Sequence, residues 1–246
     1  MNEVIENDIE ELPFNQFLKI FEMLKKKPGN KYDFTVKSGK SYQLALFNLF
    51  QLVWRYETIP EKWRETTLVQ LFKGRGSFSV LDNMRHLHLK DQTFKYFCHI
   101  VLSYAKETLL KNMTKFQIAC KPGHRPSEHL FVIKSVINHY YKNGQGILIN
   151  SFDLRKFYDS EHIYDCMNEL YSSQLKGKLY RLIYEMNKNI RIRVKTPVGL
   201  TKPEDTGPTI GQGGVDACTI SAVNIDNGVD DAFVDSGGEI VYSGLK

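Results

Sequence analysis

A short apolar run that ends in a carboxylate places the strongest constraint on how this chain can fold. The run is Ile147-Leu-Ile-Asn-Ser-Phe-Asp153, and it predicts a buried β-strand that carries Asp153 to the edge of a sheet, next to solvent. A carboxylate held on a rigid strand is an oxygen ligand suited to a hard divalent cation. The same spacing also fits a helix N-cap or an ordinary surface acid, so the residues alone leave the role of Asp153 open.

The patterns on both sides of this run predict the fold class. Strands are predicted at 67–72, 190–194 and 239–242, and helices at 41–57, 92–112, 127–141, 161–172, 178–189 and 217–233. The helix over 41–57 is apolar nearly all round and is expected to be buried. The helix over 161–172 should turn Tyr171 inward together with its aliphatic residues. Helices that outnumber a few short strands predict an α+β fold, with the helices segregated from a small sheet.

Composition narrows the class of protein without identifying it. The chain has 246 residues, of which 42% are hydrophobic, and a net charge of +5. This excess of Lys and Arg is compatible with a nucleic-acid partner but does not require one. No apolar run is long enough to predict a transmembrane helix, and the acidic start of the chain lacks the pattern of a signal peptide. We therefore expect an intracellular protein, nuclear or cytoplasmic, without a membrane partner.

The four cysteines are far apart in the sequence. They are Cys98, Cys120, Cys166 and Cys218, and no two of them form a CxxC pair or a zinc-knuckle spacing. The prediction is four reduced thiols, most of them buried, as is usual in an intracellular protein.

Two further segments are candidates for ligand binding. Four glycines between Thr206 and Gly214 would let the backbone approach a ligand closely, and Gln212 could donate or accept a hydrogen bond there. Lys73 and Arg75 flank a glycine after the first predicted strand, where they could cradle a phosphate, and Arg85 lies a little further along the chain. A plain flexible turn and a solvated basic surface remain alternatives for these two segments.

Taken in order, these segments resemble the reverse transcriptase domain of non-LTR, LINE-like retrotransposons. Residues 59–76 and 82–89 resemble the fingers, and residues 117–127 resemble the loop from a glutamine to a serine that precedes a helix. Phe152-Asp-Leu-Arg-Lys-Phe-Tyr-Asp159 looks like the first catalytic motif, and Gly211-Gln-Gly213 resembles the glutamine-glycine motif. The resemblance covers roughly residues 58–242. Each motif alone is weak, but five in the correct order are specific.

The resemblance implies a right-hand polymerase in which Asp153 and the Leu154 carbonyl bind metal. Tyr158 would exclude a 2′-hydroxyl, and Gln212 with Gly213 would position the nucleotide. Lys73 and Arg85, with Arg75 as a weaker candidate, would hold its triphosphate. The implied chemistry is nucleotidyl transfer with two Mg²⁺ ions, expected only in the complete enzyme. The implied partners are an RNA template, a DNA primer and deoxynucleoside triphosphates, and the oligomeric state is not implied.

The chain departs from the family at the third motif. The family's third motif is an aromatic residue, any residue and then two aspartates, and it is expected after Gly213. The pair Asp230-Asp231 follows Gly228-Val229 in a predicted helix and does not match this motif. We expect an N-terminal helical extension at 1–57, a fingers-like region at 58–145 and a partial palm at 146–246, with no thumb. The chain is either a fragment that stops before the aspartate pair, inactive in isolation, or an inert module of the same fold that binds nucleic acid or protein.

Overall fold

The computed structural model describes residues 9–26, 38–150, 157–207, 210–211 and 213–233, with the backbone alone for Asp159 and 227–233. In chain order the elements are α1 (Phe14–Lys25), α2 (Lys40–Tyr56), α3 (Glu61–Arg64), β1 (Glu65–Phe72), β2 (Met84–Leu89), α4 (Gln92–Asn112), α5 (Pro126–Lys142), α6 (Phe157–Ser160), α7 (Ile163–Ser172), α8 (Gly177–Asn187), β3 (Arg191–Thr196), β4 (Gly199–Leu200), β5 (Glu204–Asp205) and α9 (Ala217–Phe233). The α+β prediction is confirmed.

A small mixed sheet lies at one side of the helices. Its strand order is β2-β1-β3-β4, and β5 also pairs with β3. β1 is antiparallel to β2, with Leu68 opposite His88, and parallel to β3, with Thr67 opposite Arg193. The strands predicted at 67–72 and 190–194 are therefore confirmed. The strand predicted at 239–242 lies outside the described residues.

The helices bury one continuous core. α4 carries the largest share of it, and Asp91 caps this helix by accepting hydrogen bonds from the backbone amides of Thr93 and Phe94. Core side chains also come from α1, α2, α7, α8 and α9. The core thus draws on all three predicted regions, while the boundaries at residues 57 and 145 stay predictions. No helix among the described residues has the length and apolarity of a membrane span.

Two predictions of burial in helices are wrong in detail. α2 buries a single face, formed by Leu46, Phe50, Val53 and Trp54, whereas Leu44 and Leu52 are exposed. Tyr171 in α7 is also exposed, because its ring lies beside Tyr180 at the surface instead of in the core. An apolar side chain at the right period can still lie outside when its neighbours leave no room against the core.

The predicted buried strand before Asp153 is not formed in the part of it that the structure describes. Residues 147–150 lie in no strand, and Leu148 is 86% exposed. Residues 147–150 pair with none of the described strands, and an apolar run of strand-forming residues becomes a strand only where neighbouring strands and burial favour it. Asp153 itself falls in residues 151–156, outside the described residues.

The prediction of four reduced cysteines is also wrong. Cys120 and Cys218 form a disulfide with a Cα–Cα distance of 6.1 Å, while Cys98 and Cys166 are buried thiols. The bonded cysteines are 98 residues apart, so only the tertiary structure brings them together.

Candidate functional site

The glycine-rich loop packs directly against the end of β2. A Cβ atom at Gly211 would lie 2.7 Å from Nδ1 of His88, and one at Gly213 would lie 3.3 Å from the His88 carbonyl oxygen. Gly213 also has a φ of +102°, which favours glycine. Close approach to the protein's own strand therefore accounts for glycine at Gly211 and Gly213, and the predicted approach of the loop to a ligand stays a prediction.

A buried ion pair holds the two sides of this contact together. Nζ of Lys90, the residue after β2, lies 3.6 Å from Oδ1 of Asp216, and both side chains are almost wholly buried. Oδ2 of Asp216 accepts a hydrogen bond of 2.7 Å from the Asn187 amide, and the Asp216 carbonyl accepts from the first amides of α9. A charge in the interior requires such partners. Sequence patterns did not single out Lys90 or Asp216, because each is an isolated charge in an ordinary segment.

The segment that contains Tyr158 is tied to the same helix by Glu161. The Glu161 carboxylate accepts hydrogen bonds from the Ser221 hydroxyl and from the Asn224 amide, the latter at 3.0 Å, and both donors lie on α9. Burial raises the pKa of Glu161, although these two hydrogen bonds oppose the rise. Tyr158 itself is half-buried against the core, and burial, followed by the Glu161 charge, raises the pKa of its phenol.

The loop that resembles the glutamine-to-serine motif also reaches α9. Besides the Cys120–Cys218 disulfide, the side chain of Asp226 accepts hydrogen bonds from the amide and the hydroxyl of Thr114, each at 2.6 Å. Two predicted segments, around residues 114–127 and 157–161, therefore meet one helix, and the third, at residues 211–214, directly precedes that helix in the chain. We call this arrangement the α9 junction.

The strands β1 and β2 form an antiparallel hairpin that carries Lys73, Arg75 and Arg85, and these three basic residues are not part of the α9 junction. Lys73 donates a 2.7 Å hydrogen bond to the Asp82 carbonyl at the hairpin tip, about 17 Å along β2 from His88 at the usual rise per residue. Arg75 is exposed in the turn between Gly74 and Gly76. Arg85 is exposed three residues before His88, so strand alternation directs it to the opposite face of the sheet.

A surface cleft of about 470 Å³ opens where α8 ends and the glycine-rich loop begins. Tyr164, Tyr184, Asn187, Arg191, Asp205 and Gly207 are among its lining residues. Arg191 is already engaged there by Glu61 at 3.4 Å and by Glu65 at 3.5 Å. Thr206 and Gly207, at the start of the glycine-rich loop, line this cleft, whereas the described site residues Lys73, Arg75, Arg85, Tyr158 and Gly213 are not among its lining residues. The charges of the cleft are of both signs.

The described residues do not by themselves supply a magnesium site. No group of three or more His, Cys, Asp or Glu side chains suited to a metal occurs in the part of the chain that the structure describes. The carboxylate nearest to Tyr158 in sequence among those described, Glu161, is occupied by Ser221 and Asn224. Asp153, Leu154 and Gln212 lie outside the described residues, so no step through a metal is derived.

Comparison with known proteins adds no family to this description. No protein-family profile matches the chain, and no curated protein matches it.

Proposed function

We propose that this chain is the fingers and partial palm of an RNA-directed DNA polymerase, working inside the cell and inactive as an isolated chain. The proposal starts from the ordered resemblance of five segments to the reverse transcriptases of non-LTR retrotransposons. Its proposed substrates are an RNA template, a DNA primer and deoxynucleoside triphosphates. The Mg²⁺-dependent step belongs to the complete enzyme, with Asp153 as one metal ligand.

The α9 junction is the observation that carries the proposal. Two segments that lie in or beside polymerase-like motifs far apart in sequence meet one helix, through the hydrogen bonds of Glu161 and Asp226 and the disulfide of Cys120. The glycine-rich loop directly precedes this helix in the chain and packs against His88 at the end of β2. The junction supports a common function for these segments.

The exposed cations of the hairpin support a nucleic-acid partner. Arg75 and Arg85 are both exposed, and phosphate contacts by such side chains release counterions from the nucleic acid. We expect weak binding of the full chain to a primer–template duplex, with a Kd that rises steeply with salt. Fluorescence anisotropy across a salt series measures both quantities.

Matched variants distinguish a specific surface from general basicity. Arg75→Ala and Arg85→Ala should each weaken binding and lower the slope of log K against log salt by about 1, the effect of losing one phosphate contact. Lys106→Ala, which removes an exposed cation from α4, should leave the slope unchanged. Absence of binding at low salt, or equal effects of all three variants, would contradict the proposal.

A second assay tests the inactivity of the isolated chain. Incubated with primer–template, deoxynucleoside triphosphates and Mg²⁺, the chain should not extend the primer. Extension that disappears in Asp153→Asn would show that the chain is a working polymerase rather than an inactive part of one.

A further inference from the structure

The helix α5 is placed on the protein with all of its side chains at least partly exposed. It runs for 17 residues and none of them is buried. Its large apolar residues Leu130, Phe131 and Tyr141 are 66%, 72% and 83% exposed. Burial of apolar area is the usual force that holds a helix in place, and α5, whose most covered face includes Val136 and Ile137 at 37% and 38% exposure, gains less of it than the core helices.

Polar contacts described around α5 are mostly local. Lys121 donates to the Thr114 carbonyl, His124 pairs with Glu128, and His129 lies 3.1 Å from the Phe116 carbonyl oxygen. These contacts shape the loop and cap the helix. They do not join it to the core.

The Cys120–Cys218 disulfide, in contrast, is a long-range connection between segments 98 residues apart. Cys120 lies six residues before α5, and Cys218 lies in the first turn of α9, so the bond joins the α5 segment to the helix of the α9 junction. Both cysteine residues are exposed, and access from solvent is a condition for attack on a disulfide by a thiolate. By contrast, Cys98 and Cys166 are buried.

We propose that Cys120 and Cys218 form a reversible redox site that controls the docking of α5. Reduction by a dithiol, such as dithiothreitol or a redox protein of that class, proceeds by attack of one thiolate on the disulfide and passage through a mixed disulfide. Two electrons and two protons convert the cystine to two thiols, and the reductant becomes a disulfide. The reduced chain keeps its core and releases the segment 115–142.

Whether the Cys120–Cys218 disulfide is permanent or reversible depends on the redox state of its cellular compartment. The intracellular location used for this inference rests on the proposed function. Disulfides in intracellular proteins of mesophiles are usually transient or redox-sensing. An exposed bond at the surface of an intracellular polymerase domain fits that class. The test below needs no nucleic acid, so its result does not depend on whether the chain binds a primer–template.

Thiol counting tests the bond itself. The native oxidised chain should take up no maleimide rapidly, and the native chain after dithiothreitol should take up two, mapped to Cys120 and Cys218 by mass spectrometry. Cys98 and Cys166 should react only after unfolding, because burial raises the pKa of both thiols, that of Cys166 to about 12. Free Cys120 and Cys218 after treatment with oxidised glutathione would overturn the proposal.

Hydrogen exchange tests the docking of α5. On reduction, amides of α5 should exchange at least about 10-fold faster, whereas amides of α4 should be unchanged. The double variant Cys120→Ser with Cys218→Ser should exchange its α5 amides as fast as the reduced chain does. Its exchange rates should not change when dithiothreitol is added. Equal α5 exchange in oxidised, reduced and doubly substituted chains would overturn control of docking. Faster exchange of α4 as well would show general unfolding and would equally overturn it.

Discussion

Nζ of Lys90 lies 3.6 Å from Oδ1 of Asp216 in the interior of the protein, and this ion pair joins the end of β2 to the start of α9. The same carboxylate accepts a hydrogen bond from Asn187 at the end of α8. One buried acid therefore fixes the position of three elements around the glycine-rich loop. Buried pairs of this kind add little net stability over an apolar replacement, but they are costly to break on one side.

Removing the charge of Asp216 should destabilise the fold strongly. Asp216→Asn leaves the Lys90 ammonium buried without its counter-ion, which should lower the free energy of unfolding by about 3–5 kcal/mol. Urea unfolding followed by circular dichroism measures the change. Asp205→Asn, which alters an exposed carboxylate on β5, should change it by less than about 0.5 kcal/mol. Similar losses in both variants would mean that the ion pair is unimportant.

A methyl group at Gly211 should collide with His88. Its Cβ would lie 2.7 Å from Nδ1 and 2.9 Å from Cγ of the ring, so Gly211→Ala should cost about 1–3 kcal/mol as overpacking. Gly207→Ala is the control, because a Cβ there meets nothing within 4 Å. In a His88→Ala background the cost of Gly211→Ala should shrink, and an unchanged cost in that double-mutant cycle would contradict the contact.

The buried Glu161 should make stability depend on pH. Because its pKa is raised in the folded protein, its contribution is fully present below the usual value of 4.5 and is lost as pH rises through the folded pKa. Glu161→Gln should therefore gain stability relative to the wild type as pH rises from 4 to 7. Denaturant unfolding at several pH values measures this difference. Glu107→Gln, on the exposed side of α4, controls for loss of a carboxylate, and an equal trend in it would count against Glu161.

Two arginines that both pair with a glutamate, but differ in burial and in their number of hydrogen bonds, should differ in their contribution to stability. Arg64 is buried and donates to the carbonyls of Glu185 and Lys188 at 2.9 and 2.8 Å, and to the Glu185 carboxylate at 2.9 Å. Lysine cannot make these three bonds together, so Arg64→Lys should cost about 3 kcal/mol. Arg55→Lys, at the exposed pair with Glu11, should cost less than about 0.5 kcal/mol. Thermal unfolding of both variants compares them, and equal midpoints would refute the role of burial.

The periodicity of apolar residues was sufficient to predict most helices and strands, because it is a local property of the sequence. The helix predicted at 217–233 is α9 at the same bounds, and the four inward residues predicted for α8, Leu179, Leu182, Ile183 and Met186, are all buried. The glycine-rich loop was also recognised from the sequence, but its contact with β2 was not predicted. A sequence shows that Gly211 is small, and only the packed structure shows that His88 occupies the space beside it.

What the sequence by itself determined is the α+β class, the bounds of most helices and the ordered set of segments from which the polymerase proposal comes. The tertiary structure alone decided which distant residues meet: Cys120 with Cys218, Lys90 with Asp216, and Glu161 with Ser221. It also decided that residues 147–150 lie exposed instead of in a strand. The physical reason is that propensity and period act over a few residues, whereas pairing and burial depend on chain segments that are far apart in sequence.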